Sequence, residues 1–143
     1  MKLATIGYET STLPAVIQRL KDADVKVVID VRAVAASRKA GFSKTLLANS
    51  LQEAGVDYVH LQKLGTPKPG RDAARNGQIQ KMHDIFNIHM EEPEPQMQLG
   101  EAIDIAKARK AALLCYEDDH HGCHRSILAD EMRKREGFEI ENL

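Results

Sequence analysis

At 143 residues, with hydrophobic residues at 43% and charged residues at 29%, the chain reads as one soluble domain spanning 1–143, able to bury a core without disulfide staples. A net charge of −1 excludes a global basic field of the kind that holds duplex nucleic acid, and aromatics at 4% with no Trp weigh against a stacking platform for single strands. Charge is uneven: residues 1–50 carry eight Lys+Arg against four Asp+Glu, 51–100 five against seven and 101–143 seven against ten, so the first third is expected to face an anion.

Residues 3–8 form a short apolar run ending in Gly7-Tyr8-Glu9, the expected first strand. Thr10, Ser11 and Thr12 offer hydroxyl caps and Pro14 suits a first helical turn. A helix should follow, burying Val16, Ile17 and Leu20 and ending near Asp24. Residues 25–31 are β-branched almost throughout, as in a strand covered on both faces. One helix between two such strands makes a βαβ unit with a right-handed crossover. Ser43 is placed to cap a helix running to about residue 54, with Leu46, Leu47 and Leu51 on its buried face and Gly55 closing it. Residues 56–61 alternate as a third strand. The two prolines and flanking glycines of 65–71 predict a loop without regular structure, a candidate lid with cationic residues. Helices are expected over 79–90 and 95–109, then an apolar strand from Ala111, a polar loop, a helix over 126–135 and a short strand at 138–140. This alternation predicts a three-layer α/β domain around a mostly parallel sheet.

The densest chemistry lies in residues 111–126, which hold both cysteines and three of the six histidines between a strand and a helix. Ligands in open α/β folds bind at the carboxyl ends of strands. Arg32 past the second strand, Arg38 in the next loop and Arg125 at a helix start are therefore the expected anion-binding residues, since a guanidinium fork meets phosphate oxygens two bonds at a time. Lys44 and Ser126, each at a helix start, join them. The structural alternative for each arginine is an ion pair with Asp30 or Glu117.

Asp30, Glu117 and His124 are the acid–base candidates. Asp30 and Glu117 end two strands, so their carboxylates are expected close together, able to hold a divalent ion or share a proton. His124, beside Arg125, is expected to have its cation disfavoured, which suits a general base. Cys123 is the candidate nucleophile, because a helix N-terminus and a neighbouring arginine favour the thiolate; its alternative is a small buried packing residue. Arg125-Ser126 is similar to the helix start of phosphatases and sulfur transferases, but those loops hold their cysteine where this chain has Asp119. Cys115, Glu117, His120, His121, Cys123 and His124 have zinc-ligand chemistry without a paired spacing, so no metal is assigned. No Walker A, G-x-G-x-x-G, G-x-S-x-G or H-E-x-x-H pattern occurs, and no cofactor is implied.

Thr5-Ile6-Gly7-Tyr8-Glu9, Asp30-Val31-Arg32, Ser37-Arg38, Gly41-Phe42-Ser43-Lys44, Leu64-Gly65, Leu114-Cys115-Tyr116-Glu117 and Cys123-His124-Arg125 span most of the chain. In these pieces and their order the chain resembles an uncharacterised family, number 488 among the domains of unknown function. The resemblance implies a Rossmann-like α/β fold, no established activity, and a proposed link to nucleic-acid metabolism. No apolar stretch approaches the roughly 18 residues of a membrane span, and the first seven residues lack a signal peptide's apolar region, so a cytoplasmic protein is expected. The leading expectation is an arginine-lined phosphate, nucleotide or nucleic-acid site at the strand ends. The alternatives are a Cys-dependent thiol or metal-binding enzyme and a non-catalytic ligand-sensing module. Oligomeric state does not follow from the sequence.

Overall fold

Apolar runs form the three central strands and alternating segments the two edge strands of the computed structural model, which describes residues 1–143: β1 (Lys2–Gly7), β2 (Val27–Asp30), β3 (Asp57–His60), β4 (Ala111–Cys115) and β5 (Glu139–Asn142). They form one sheet in the order β3-β2-β4-β1-β5, and every pairing is parallel. Helices α1 (Leu13–Asp22) and α2 (Lys44–Glu53) cover one face. Helices α3 (Lys68–Arg75), α4 (Ile79–His89), α5 (Pro93–Ala108) and α6 (His124–Glu136) cover the other. The architecture is a three-layer, Rossmann-like α/β fold.

Two-residue alternation along the strands divides the core. Val28, Ala112 and Leu114 pack with Val16, Leu20, Leu47 and Leu51. Their neighbours Val27, Ile29 and Leu113 pack with Phe86, Leu99 and Met132 on the opposite side. Each large apolar side chain so buried contributes roughly 1.5–3 kcal/mol. No helix is long and apolar enough to cross a membrane.

Four local expectations change. Residues 65–71 do not stay a loop, because α3 begins at Lys68 with Pro67 at the cap and Pro69 in the first turn. First-turn N–H groups have no helical partner, so a proline there breaks nothing. The helix after the polar loop starts at His124 rather than 126, which brings His124 and Arg125 inside its first turn. Ser43 sits at the cap position of α2 without capping it. Its hydroxyl instead accepts from the Ser37 N–H at 3.1 Å and donates to the Ser37 carbonyl at 3.2 Å, pinning the loop that carries Arg38. Leu46 lies on the exposed face of α2, while Leu47 and Leu51 carry the packing.

The connectivity places the site. The chain leaves β1 and β2 for helices on one face, and β3 and β4 for helices on the other. Because β4 lies between β2 and β1, its exit loop diverges from both neighbours. Divergence of this kind opens a crevice beyond the strand ends, the usual ligand position in open α/β sheets.

Candidate functional site

A cleft of about 980 Å³ occupies that crevice. Tyr8 and Glu9 reach it from the end of β1, the loop from Arg32 to Arg38 from β2, Cys115 from the last position of β4, and Glu117, Cys123 and His124 from beyond it. Helix α3 closes the remaining side with Arg71 and Arg75.

Two close backbone approaches shape the walls. At Gly7 an added Cβ would lie 1.9 Å from the Glu117 carbonyl oxygen, so only glycine lets the loops after β1 and β4 meet. The Tyr8 N–H then donates to the Tyr116 carbonyl at 3.0 Å, and the Thr10 hydroxyl and N–H both donate to the Asp118 carboxylate. At Gly65 a Cβ would lie 2.2 Å from the Ala33 nitrogen, which seats the segment leading into α3 against the loop after β2. One wall is therefore β1 with β4, and the other β2 with α3.

The predicted anion-binding residues separate into two groups. Arg32 is 5% exposed, and its guanidinium is consumed by the protein. Nε and Nη2 donate to the Asp30 carboxylate at 2.9 and 2.7 Å, and Nη1 to the Tyr8 hydroxyl at 2.8 Å and the Phe42 carbonyl at 2.7 Å. Burial opposes its charge, but Asp30 outweighs burial and raises its pKa. Tyr58 completes the network, donating to Asp30 at 2.5 Å. Burial first, and the carboxylate beside it second, push that phenol up from its ordinary value. Arg32 thus cements β2 to the loops around it.

Arg125, unlike Arg32, does not line the cleft at all. It is buried, and its Nη1 and Nη2 donate to the carbonyls of Glu117 and Asp118 while its Nε has no partner. The reason is local: carbonyls exposed by the tight turn after β4 need donors, and the first turn of α6 delivers one. Lys44 is exposed and lies outside the cleft lining, and the Ser126 hydroxyl donates to the Cys123 carbonyl at 2.9 Å. Arg38 does line the cleft, exposed and without an ion pair.

The acid–base candidates also part company. Asp30 follows Ile29, so strand alternation sends its side chain to the α1–α2 face, where Arg32 and Tyr58 cover it and it does not line the cleft. Glu117 lines the cleft. The expected Asp30–Glu117 carboxylate pair is therefore absent.

Cys115, Cys123 and His124 converge at the floor, at 5%, 1% and 6% exposure. His124 Nδ1 lies 3.8 Å from both sulfurs, and Cys115 Sγ donates to Glu117 Oε2 at 3.3 Å. Nε2 of His124 lies 2.7 Å from the Val31 carbonyl, an acceptor only, so Nε2 carries the proton and the Nδ1 lone pair faces the sulfurs. Burial alone would lower the His124 pKa; the Cys123 sulfur, the Val31 carbonyl and Glu117 more than offset it and raise it. The expected suppression by Arg125 fails because that guanidinium points at the Glu117 and Asp118 carbonyls. Burial first, and the neighbouring Cys115 second, push the Cys123 thiol well up against the opposing pull of His124, contrary to an activated thiolate. His120 and His121 stay on the outer turn His120–Gly122.

Arg71 and Arg75 were not among the sequence candidates. Their i,i+4 spacing puts both on one face of α3, a signal hidden while two prolines made the segment read as a loop. Arg71 Nη1 donates to the Thr66 carbonyl at 2.9 Å, and Arg75 makes only a loose exposed pair with Asp72 at 3.5 Å. Besides Arg32, the cleft's arginines are therefore Arg38 from the basic first third and Arg71 and Arg75 from the middle of the chain.

Residues 12–132 match the family described as Domain of unknown function DUF488, and the chain belongs to that family. Neither the curated proteins nor the solved structures contain a significant match.

Proposed function

We propose that the cleft binds a small phosphate-bearing ligand, a nucleotide or a nucleic-acid end, and presents it to a reactive floor of Cys115, His124 and Glu117 with Cys123. The observation that carries this reading is the segregation of charge between the walls. Arg38, Arg71 and Arg75 stand on the wall of β2 and α3, and Glu9, Glu117 and Asp119 on the wall of β1 and β4. A ligand with an anionic end and hydroxyl or amino groups at the other suits such a bipolar cleft. Its volume of about 980 Å³ lies near the top of the roughly 300–1,000 Å³ usual for small-molecule sites. A net charge of −1 favours a small ligand over a duplex. The floor supports chemistry rather than recognition alone, since a buried imidazole within 3.8 Å of two thiols, with a carboxylate bonded to one of them at the edge of a cleft, is the kind of cluster found where reactions occur.

Titration calorimetry with inorganic phosphate and a nucleoside monophosphate tests the proposal. A hydrogen bond to a charged group is worth about 1.5–3 kcal/mol. Arg38→Ala and Arg71→Ala should therefore each weaken binding by roughly tenfold to a hundredfold, whereas Lys44→Ala, outside the cleft, should leave it unchanged. Unaltered affinity in both arginine variants would sink the reading.

A further inference from the structure

We propose that Cys115, Cys123 and His124 form a tetrahedral metal site of the zinc type, with its fourth position open to the cleft. Their donor atoms, two Sγ and Nδ1, all lie within 4.8 Å of one another. In tetrahedral zinc, with Zn–S about 2.3 Å and Zn–N about 2.0–2.1 Å, neighbouring donors are about 3.5–3.8 Å apart. The two S–N separations of 3.8 Å already match that spacing within a few tenths of an ångström.

The surroundings of the histidine make the same argument. Metal-bound imidazoles usually donate their second N–H to a carbonyl or carboxylate, which fixes the tautomer. His124 Nε2 makes that bond to the Val31 carbonyl, leaving Nδ1 to bind the ion. Two thiolates and one imidazole suit zinc better than magnesium or calcium, which prefer oxygen. Three protein ligands with an open fourth position mark reactive zinc sites rather than structural ones. Glu117, bonded to Cys115 and lining the cleft, stands beside that position. The outer trio Asp119, His120 and His121 carries no such support: the Asp119 carboxylate already accepts from the His121 N–H, and no buried partner orients either ring.

The inference is independent of the arginine reading, because metal uptake and phosphate affinity are measured separately. Reduced protein is titrated with cobalt(II) under anaerobic conditions. One cobalt per chain should bind with a near-ultraviolet sulfur-to-cobalt band and visible bands of tetrahedral form, and zinc should displace it. The chain has only two cysteines, so the sulfur band reports this cluster even if variants fold poorly. Cys115→Ser, Cys123→Ser and His124→Ala should lose or weaken it, and the double variant His120→Ala/His121→Ala should keep it. X-ray absorption of the zinc form should show two sulfur neighbours at about 2.3 Å. Absence of a sulfur band in wild type, an all-nitrogen-and-oxygen shell, or loss of binding only in the outer histidine variant would each overturn the assignment. A Cys115–Cys123 disulfide whose reduction restores no cobalt uptake would do the same.

Discussion

Arg32→Met removes the partner of a carboxylate that has no contact with solvent. Asp30 is 0% exposed, and without Arg32's side chain it keeps only the Tyr58 hydroxyl at 2.5 Å and the residue-32 backbone N–H at 3.1 Å. The substitution also strands the Tyr8 hydroxyl and the Phe42 carbonyl, both now served by Nη1. Deleting one member of a buried ion pair typically costs about 3–5 kcal/mol, most of it the penalty for the charge left behind. With a urea slope of about 2 kcal/mol/M, the unfolding midpoint should fall by about 2 M. The double variant Asp30→Leu/Arg32→Met, which strands no charge, should recover a large part of that loss. Urea denaturation followed by circular dichroism gives the midpoints, and calorimetry on the folded fraction gives phosphate affinity. That affinity should remain within about twofold of wild type, since all three guanidinium nitrogens are already hydrogen-bonded to Asp30, Tyr8 and Phe42. A midpoint near wild type together with lost phosphate binding would refute the structural role of Arg32.

Gly7→Ala drives a methyl into the Glu117 carbonyl oxygen, and should destabilise by about 1–3 kcal/mol in thermal unfolding. Gly100→Ala, inside α5 with nothing near the new Cβ, should instead stabilise by up to about 1 kcal/mol; equal effects at the two sites would contradict the close approach of the loops. Tyr58 has a raised folded pKa, so the stability it contributes is complete below the ordinary phenol value of about 10 and is lost as pH rises through the higher folded value. Tyr58→Phe should therefore flatten the fall in urea midpoint above about pH 10, and a variant as alkali-sensitive as wild type would exclude that phenol as the source.

The strands were legible because a strand covered on both faces needs a nearly continuous apolar run, and Val27–Asp30 and Ala111–Cys115 have one. The insertion of β4 between β2 and β1 was not, since strand order depends on contacts far apart in the chain. Arg32, Arg38 and Arg125 look alike as residues past a strand or at a helix start. Only tertiary partners separate them: the Asp30 carboxylate captures the first, the carbonyls after β4 capture the last, and Arg38 is left to the cleft. The Cys115–Cys123–His124 convergence has the same origin. A strand end and a helix start turn these three inward, while His120 and His121 between them stay on the outer turn.

The central claim, that the crevice beyond β1, β2 and β4 is an anion site, is tested most directly by mapping phosphate onto backbone amide resonances. Saturable shifts are expected at residues 33–38, 71–75 and 116–124, all weakened together in Arg38→Ala. Shifts centred instead on the start of α2 at Lys44, or unchanged by Arg38→Ala, would contradict it.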